Sequence, residues 1–100
     1  MNNINAVKIT INPINSINPK QNIFQNRIMI QNVGKVILKN IQLKINDEEF
    51  IEIMDMTRIG NIITLPKFIV DMGGLRPGNR HTFVYITNTP HPTIETIMVF

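Results

Sequence analysis

Residues Arg27–Ile45, RIMIQNVGKVILKNIQLKI, hold two β-type runs joined through Asn32-Val33-Gly34-Lys35. A second punctuation mark, Leu75-Arg76-Pro77-Gly78, precedes another strand-like run over Arg80–Asn88. Short apolar runs separated by Gly and Pro turns are the signature of a sandwich. Gly34 supplies the turn conformation a tight hairpin needs, and Pro77-Gly78 suits the central positions of a type II turn. Asn32 and Asn40 stand at strand ends, where a carboxamide can bond local backbone.

Alternation extends the pattern along the chain. Phe24, Ile28 and Ile30 share one face, as do Ile37, Ile41, Leu43 and Ile45. Phe50–Met54 is a short run, and Asn61–Val70 continues the pattern as an edge or bulged strand because of Pro66. Phe83, Tyr85 and Thr87 alternate against Val84 and Ile86, and Ile94–Phe100 is the last run. No apolar series at helical spacing survives over three turns. The expectation is an all-β, Ig-like antiparallel β-sandwich of seven to eight strands with an extended N-terminal arm. Residues 1–20 form the arm or an added strand, and residues 21–100 the sandwich. One hundred residues suffice for one such domain with its own core.

Several of these residues also resemble a known pattern. Phe24, Asn26, Ile28, Ile30, Asn32, Gly34, Leu38, Asn40, Ile41 and Leu43, with Leu75, Pro77, Gly78, Phe83 and Tyr85 later, are similar to the Ig-like repeat domains of bacterial and archaeal surface proteins. The similarity spans about residues 21–100. It implies a fold and a surface or structural role, and no reaction.

The arm is compositionally distinct. Val7, Ile9 and Ile11 alternate with Lys8 and Thr10, and then Ile-Asn-Pro, Ile-Asn-Ser, Ile-Asn-Pro recurs with period three over residues 11–19. Proline in that repeat forbids a helix and interrupts a sheet ladder. Two readings follow: a simple strand connection, or an arm that lies on a neighbouring molecule. Ile and Asn make up about a third of the chain. That bias fits an AT-rich genome and carries no functional weight, but β-branched Ile does favour strands.

Composition excludes several classes. With no cysteine there is no disulfide scaffold, thiol catalysis or thiolate metal site. The net charge is +3, yet the ten Lys and Arg are scattered and only one Tyr and no Trp accompany them, so nucleic-acid binding is not expected. No run reaches the length of a membrane-spanning helix, and the N-terminus lacks a signal-peptide pattern. Asp47, Glu48, Glu49, Glu52 and Asp55 lack calcium-loop spacing, and His81 and His91 have no ligand partners in sequence. No nucleophile or phosphate-binding motif is present, so neither an enzyme nor a cofactor is expected.

Two functions fit. The first is a self-assembling structural subunit of a fibre, appendage or spore or cell-surface layer. It would be joined to further copies of itself by N-terminal strand exchange, with Val7, Ile9, Ile11, Ile14 and Ile17 filling a neighbour's groove. The alternative is a monomeric binding module for carbohydrate or protein surfaces, with the arm folded back as its own first strand. The corresponding location is the cell or spore surface, with the cytoplasm as the alternative.

Overall fold

A computed structural model describes residues 4–18, 23–45, 50–89 and 92–100, the side chains of residues 15–18, 50 and 51 excepted. After a short 3-10 turn at Ile4–Ala6 come eight strands: β1 (Val7–Asn18), β2 (Ile23–Asn32), β3 (Ile41–Ile45), β4 (Phe50–Met54), β5 (Thr57–Ile59), β6 (Ile62–Thr64), β7 (Arg80–Thr87) and β8 (Ile94–Val99). One helical turn, α1 (Lys67–Asp71), lies between β6 and β7. The strands form two antiparallel sheets, ordered β1-β2-β7-β4 and β5-β6-β3-β8. The molecule is an all-β sandwich.

Period-two side-chain alternation explains how the sheets face each other. On β2, Asn26, Ile28, Ile30 and Asn32 are buried while Arg27 is exposed, and on β7 His81, Phe83, Tyr85 and Thr87 are buried while Arg80 and Thr82 are exposed. Opposite them, Ile41, Leu43 and Ile45 of β3, Ile63 of β6 and Val99 of β8 close the core. Fully burying a Leu, Ile or Phe side chain contributes about 1.5–3 kcal/mol, and these residues are the main source of cohesion.

Residues 33–40 do not turn back as a hairpin. They carry the chain from the first sheet to the second, so β2 pairs with β1 and β7, whereas β3 pairs with β6 and β8. Leu38, not Ile37, faces the core here, in an isolated bridge with Leu75. Gly34 does not occupy the positive-φ region either. It is favoured by space, because a Cβ there would sit 3.0 Å from the Ala6 Cβ. Gly78, by contrast, has φ +82, and the Asn79 N–H donates to the Arg76 carbonyl at 3.0 Å across Pro77-Gly78. That is the geometry of a type II turn.

β1 runs on through the Ile-Asn-x repeat. It pairs with β2 of its own chain from Val7↔Asn32 to Asn18↔Ile23, with register shifts after Pro13 and after Ser16. As an edge strand it tolerates Pro13, whose missing N–H costs no ladder bond on the open side. Val7, Ile9 and Ile11 pack against the core of the same molecule, and Ile14 is half-buried. The Ile17 side chain lies outside the described residues.

The segment read as a strand over Asn61–Val70 splits at Pro66. β6 stops at Thr64, and the Pro66 carbonyl accepts from the Ile69 and Val70 N–H groups to open α1. The helix closes in a Schellman motif, Gly73 N–H to Val70 O and Gly74 N–H to Ile69 O. Gly74 has φ +109, and a Cβ on it would fall 2.1 Å from the Leu38 carbonyl oxygen.

Two substitutions test this account by urea unfolding. Gly74→Ala should cost about 3 kcal/mol through backbone strain and displacement of Leu38. Asn32→Ala should cost about 2–4 kcal/mol, because it strips partners from several backbone groups in the crossover.

Candidate functional site

Most of the exposed large apolar side chains gather at one end of the sandwich, where β2, β4, β6 and β8 finish and β3 and β7 begin. Ile4, Val33, Val36, Ile37, Met54, Phe68, Val70, Met72 and Phe100 all stand there, while Ile59 belongs to the β5–β6 hairpin and Met98 to the outer face of β8. Fully buried Phe83 and Tyr85 are consumed by the core, so the exposed aromatic side chains among the described residues are Phe68 and Phe100. Phe68 is the more accessible of the two, at 58%.

The position of Phe68 follows from the short helix. Ile69 is buried and anchors α1, which turns Phe68 outward with Met72 four residues on, on the same face. Met72 is 70% exposed. An exposed Lys67–Asp71 ion pair spans the other side of the turn and contributes little to stability. The Phe68 ring meets the His81 imidazole edge-to-face at 6.2 Å. His81 is itself held by a 2.7 Å bond between Nε2 and the Asp55 carbonyl.

Beside this apolar step lies a pocket of about 460 Å³ lined by Met72, Gly74, Arg76 and Asn79. Arg76 brings a planar fork of donors and Asn79 a carboxamide that both donates and accepts. Their turn is fixed from behind. The Asn32 N–H donates to Asn79 O at 3.0 Å, Gly78 N–H donates to Asn32 O at 2.8 Å, and Gln31 Nε2 donates to Gly78 O at 3.3 Å. An apolar platform next to converging planar polar groups is the layout of a site for a small polar ligand with apolar faces.

A second depression, about 310 Å³, lies on the outer face of the other sheet between Gln42, Thr57, Ile59, Ile62 and Thr64. Its lining has no charged side chain, whereas the pocket at the helical end has Arg76. The helical end is the stronger site.

The residues singled out in the sequence fall differently. Pro77 and Gly78 form the turn that carries Arg76 and Asn79, and Gly34 lies in the crossover at the same end. Val7, Ile9 and Ile11 are turned to the core, away from the site. Asp47, Glu48, Glu49 and His91 lie outside the described residues, and among the described residues no group of three His, Cys, Asp or Glu could hold a metal ion. No described helix is long and apolar enough to cross a membrane. Phe68, Met72, Arg76 and Asn79 escaped the sequence reading. The signal for the first two was the spacing of four from Phe68 to Met72, masked by the strand-like run through Pro66; Arg76 and Asn79 had none of their own.

In comparison with known families, the model of Carbohydrate binding domain CBM49 matches residues 7–89. This replaces the surface-repeat family suggested by the turn and core residues. Neither a curated protein nor a solved structure matches the chain.

If the helical end is a site and not a piece of core, its exposed side chains can be removed cheaply. Phe68→Ala and Met72→Ala should each change stability by no more than about 1 kcal/mol, whereas Leu75→Ala, at a residue only 4% exposed and paired with Leu38, should cost about 2–5 kcal/mol. Thermal denaturation of the three variants reads the difference.

Proposed function

The chain belongs to the carbohydrate-binding domain family CBM49, and from that premise we propose that it is a monomeric module that binds polysaccharide through the end of the sandwich bearing α1. The observation that carries the reading is Phe68, an aromatic ring that the core does not use, four residues from Met72, which lines a pocket with Gly74, Arg76 and Asn79. A pyranose offers a C–H face and a rim of hydroxyls. The face settles on an apolar ring, and the rim exchanges hydrogen bonds with planar amide and guanidinium groups.

The site suits binding and assigns no reaction. Nothing in the family match supports a fibre or layer subunit. The pairing of β1 with its own β2 supports a monomer, since Val7, Ile9 and Ile11 are already used within the chain. A location at a cell or spore surface accords with a polysaccharide partner and belongs to the proposal.

The test is retention on insoluble polysaccharides and affinity electrophoresis through soluble ones, with sedimentation to read the oligomeric state. A monomer that binds at least one neutral or charged polysaccharide is expected. Phe68→Ala should weaken binding about tenfold or more, the loss typical of a central aromatic anchor. A folded protein that binds no member of a broad panel, or a Phe68→Ala variant that binds as well as the original, would overturn the proposal.

A further inference from the structure

The outer face of the β1-β2-β7-β4 sheet carries positive charge that no carboxylate of its central strands answers. β1, β2 and β7 contain no Asp or Glu at all. Their register brings Lys8, Gln31 and Arg80 into one row across three adjacent strands, and Asn12, Arg27 and Val84 into another. Lys8, Arg27 and Arg80 are all exposed, and none of them has an ion-pair partner among the described residues. From strand spacing and rise, Lys8 and Arg80 stand about 10 Å apart at Cα, and Arg27 about 13 Å along the strands from that row.

Between and beside these cations lie neutral groups suited to hydroxyls. Thr10, Met29 and Thr82 form the intervening row. The nearest carboxylate in register is Glu52 on β4, opposite Ile86 at the far side of β7. Among the described residues the other acidic groups are segregated: Asp71 is paired on α1, Glu95 is on β8 in the other sheet, and Asp55 follows β4. The scatter of basic residues along the sequence becomes a patch once the strands are laid side by side.

This face meets the helical site. Gln31, at the centre of the Lys8–Arg80 row, is bonded to Gly78 of the turn that holds Arg76 and Asn79, and Arg80 follows Asn79 directly. We infer that the polysaccharide this module prefers is anionic, and that its chain runs from the Met72–Arg76 pocket across Arg80, Gln31 and Lys8 toward Arg27. The inference rests on the carbohydrate-binding reading and deepens it. Charge complementarity selects the occupant: a carboxylated or sulfated sugar polymer supplies anions at intervals and hydroxyls between them. Nucleic acid offers anions as well, but its recognition as a single strand relies on stacking aromatics, and no aromatic residue faces outward among the described residues of these rows.

Two charged and neutral polymer pairs separate the carboxylate and sulfate sources. One pair is polygalacturonate with its methyl ester, and the other is dextran sulfate with dextran. Binding is measured by titration calorimetry and affinity electrophoresis, with single-stranded DNA as competitor. At least one charged member should bind about tenfold tighter than its neutral partner, and the difference should shrink as salt rises from about 50 to about 500 mM. The triple variant Lys8→Gln, Arg27→Gln, Arg80→Gln should lose that preference while keeping its fold and its Phe68-dependent retention on neutral polysaccharide. Equal binding of both members of each pair would overturn the anionic preference and leave the carbohydrate reading standing. DNA competing as well as the charged polysaccharides would overturn it too, since the patch would then be a general polyanion surface. Failure of every polysaccharide would remove both readings together.

Discussion

The carboxamide of Asn32 holds the two halves of this sandwich in register with each other. It is fully buried at the end of β2, the point where the chain leaves the first sheet. Its Nδ2 donates to the carbonyls of Val36 at 2.9 Å and Leu75 at 2.8 Å, and its Oδ1 accepts the Gly34 N–H at 2.9 Å. One side chain thereby satisfies two backbone groups of a crossover that has no ladder of its own and one of the loop before β7. Leu38 and Leu75 then exchange reciprocal backbone bonds at 2.9 and 2.7 Å, closing the crossover onto the loop that leads back to β7. Unpaired, each of those buried polar groups would cost about 1–3 kcal/mol. At the other side of the sandwich end, Asn40 Oδ1 plays a smaller version of this part, accepting from Ile41 and Leu65 N–H groups.

The functional end inherits its rigidity from that node. The backbone of Asn32 grips Gly78 and Asn79 from behind, so the turn presenting Arg76 and Asn79 is braced by β2 rather than left as a free loop. α1 is braced in the same way, through buried Ile69 and the close approach of Gly74 to Leu38. A site on braced turns loses little conformational freedom when a ligand arrives, which favours affinity even where contacts are few. That matters for a shallow surface with one well-exposed ring.

The sequence showed which residues face inward far better than it showed which strands are neighbours. Alternation alone identifies Ile28 and Ile30, Leu43 and Ile45, and Phe83 and Tyr85 as core, because burial on one face is a local property of period two. Asn32-Val33-Gly34-Lys35 looked like a hairpin turn because a crossover and a hairpin both use Asn and Gly. Only the non-local pairing of β2 with β7, and of β3 with β8, distinguishes them. The helix was hidden for a related reason. Ile62–Thr64 and Phe68–Val70 read as one strand until the missing N–H of Pro66 is placed in the ladder. With α1 unseen, the outward turn of Phe68 and Met72 is hidden, and the pocket that Met72 lines with Gly74, Arg76 and Asn79 has no signature in the strand pattern.

The N-terminal segment has two faces, and they answer different physical demands. Its inward row, Val7, Ile9 and Ile11, stands opposite Asn32, Ile30 and Ile28 and completes the core. A long strand at a sheet edge invites pairing with other chains, and this one is blunted by Pro13, by two register shifts and by outward Lys8. The outward row, Lys8, Thr10 and Asn12, extends the face begun by Gln31, Met29 and Arg27. The outward Lys8 that helps to blunt the edge therefore also widens the polar outer face of the sheet. In the proposed reading it is the polar side of the arm that meets a ligand, while the apolar side that suggests strand exchange is already used for folding.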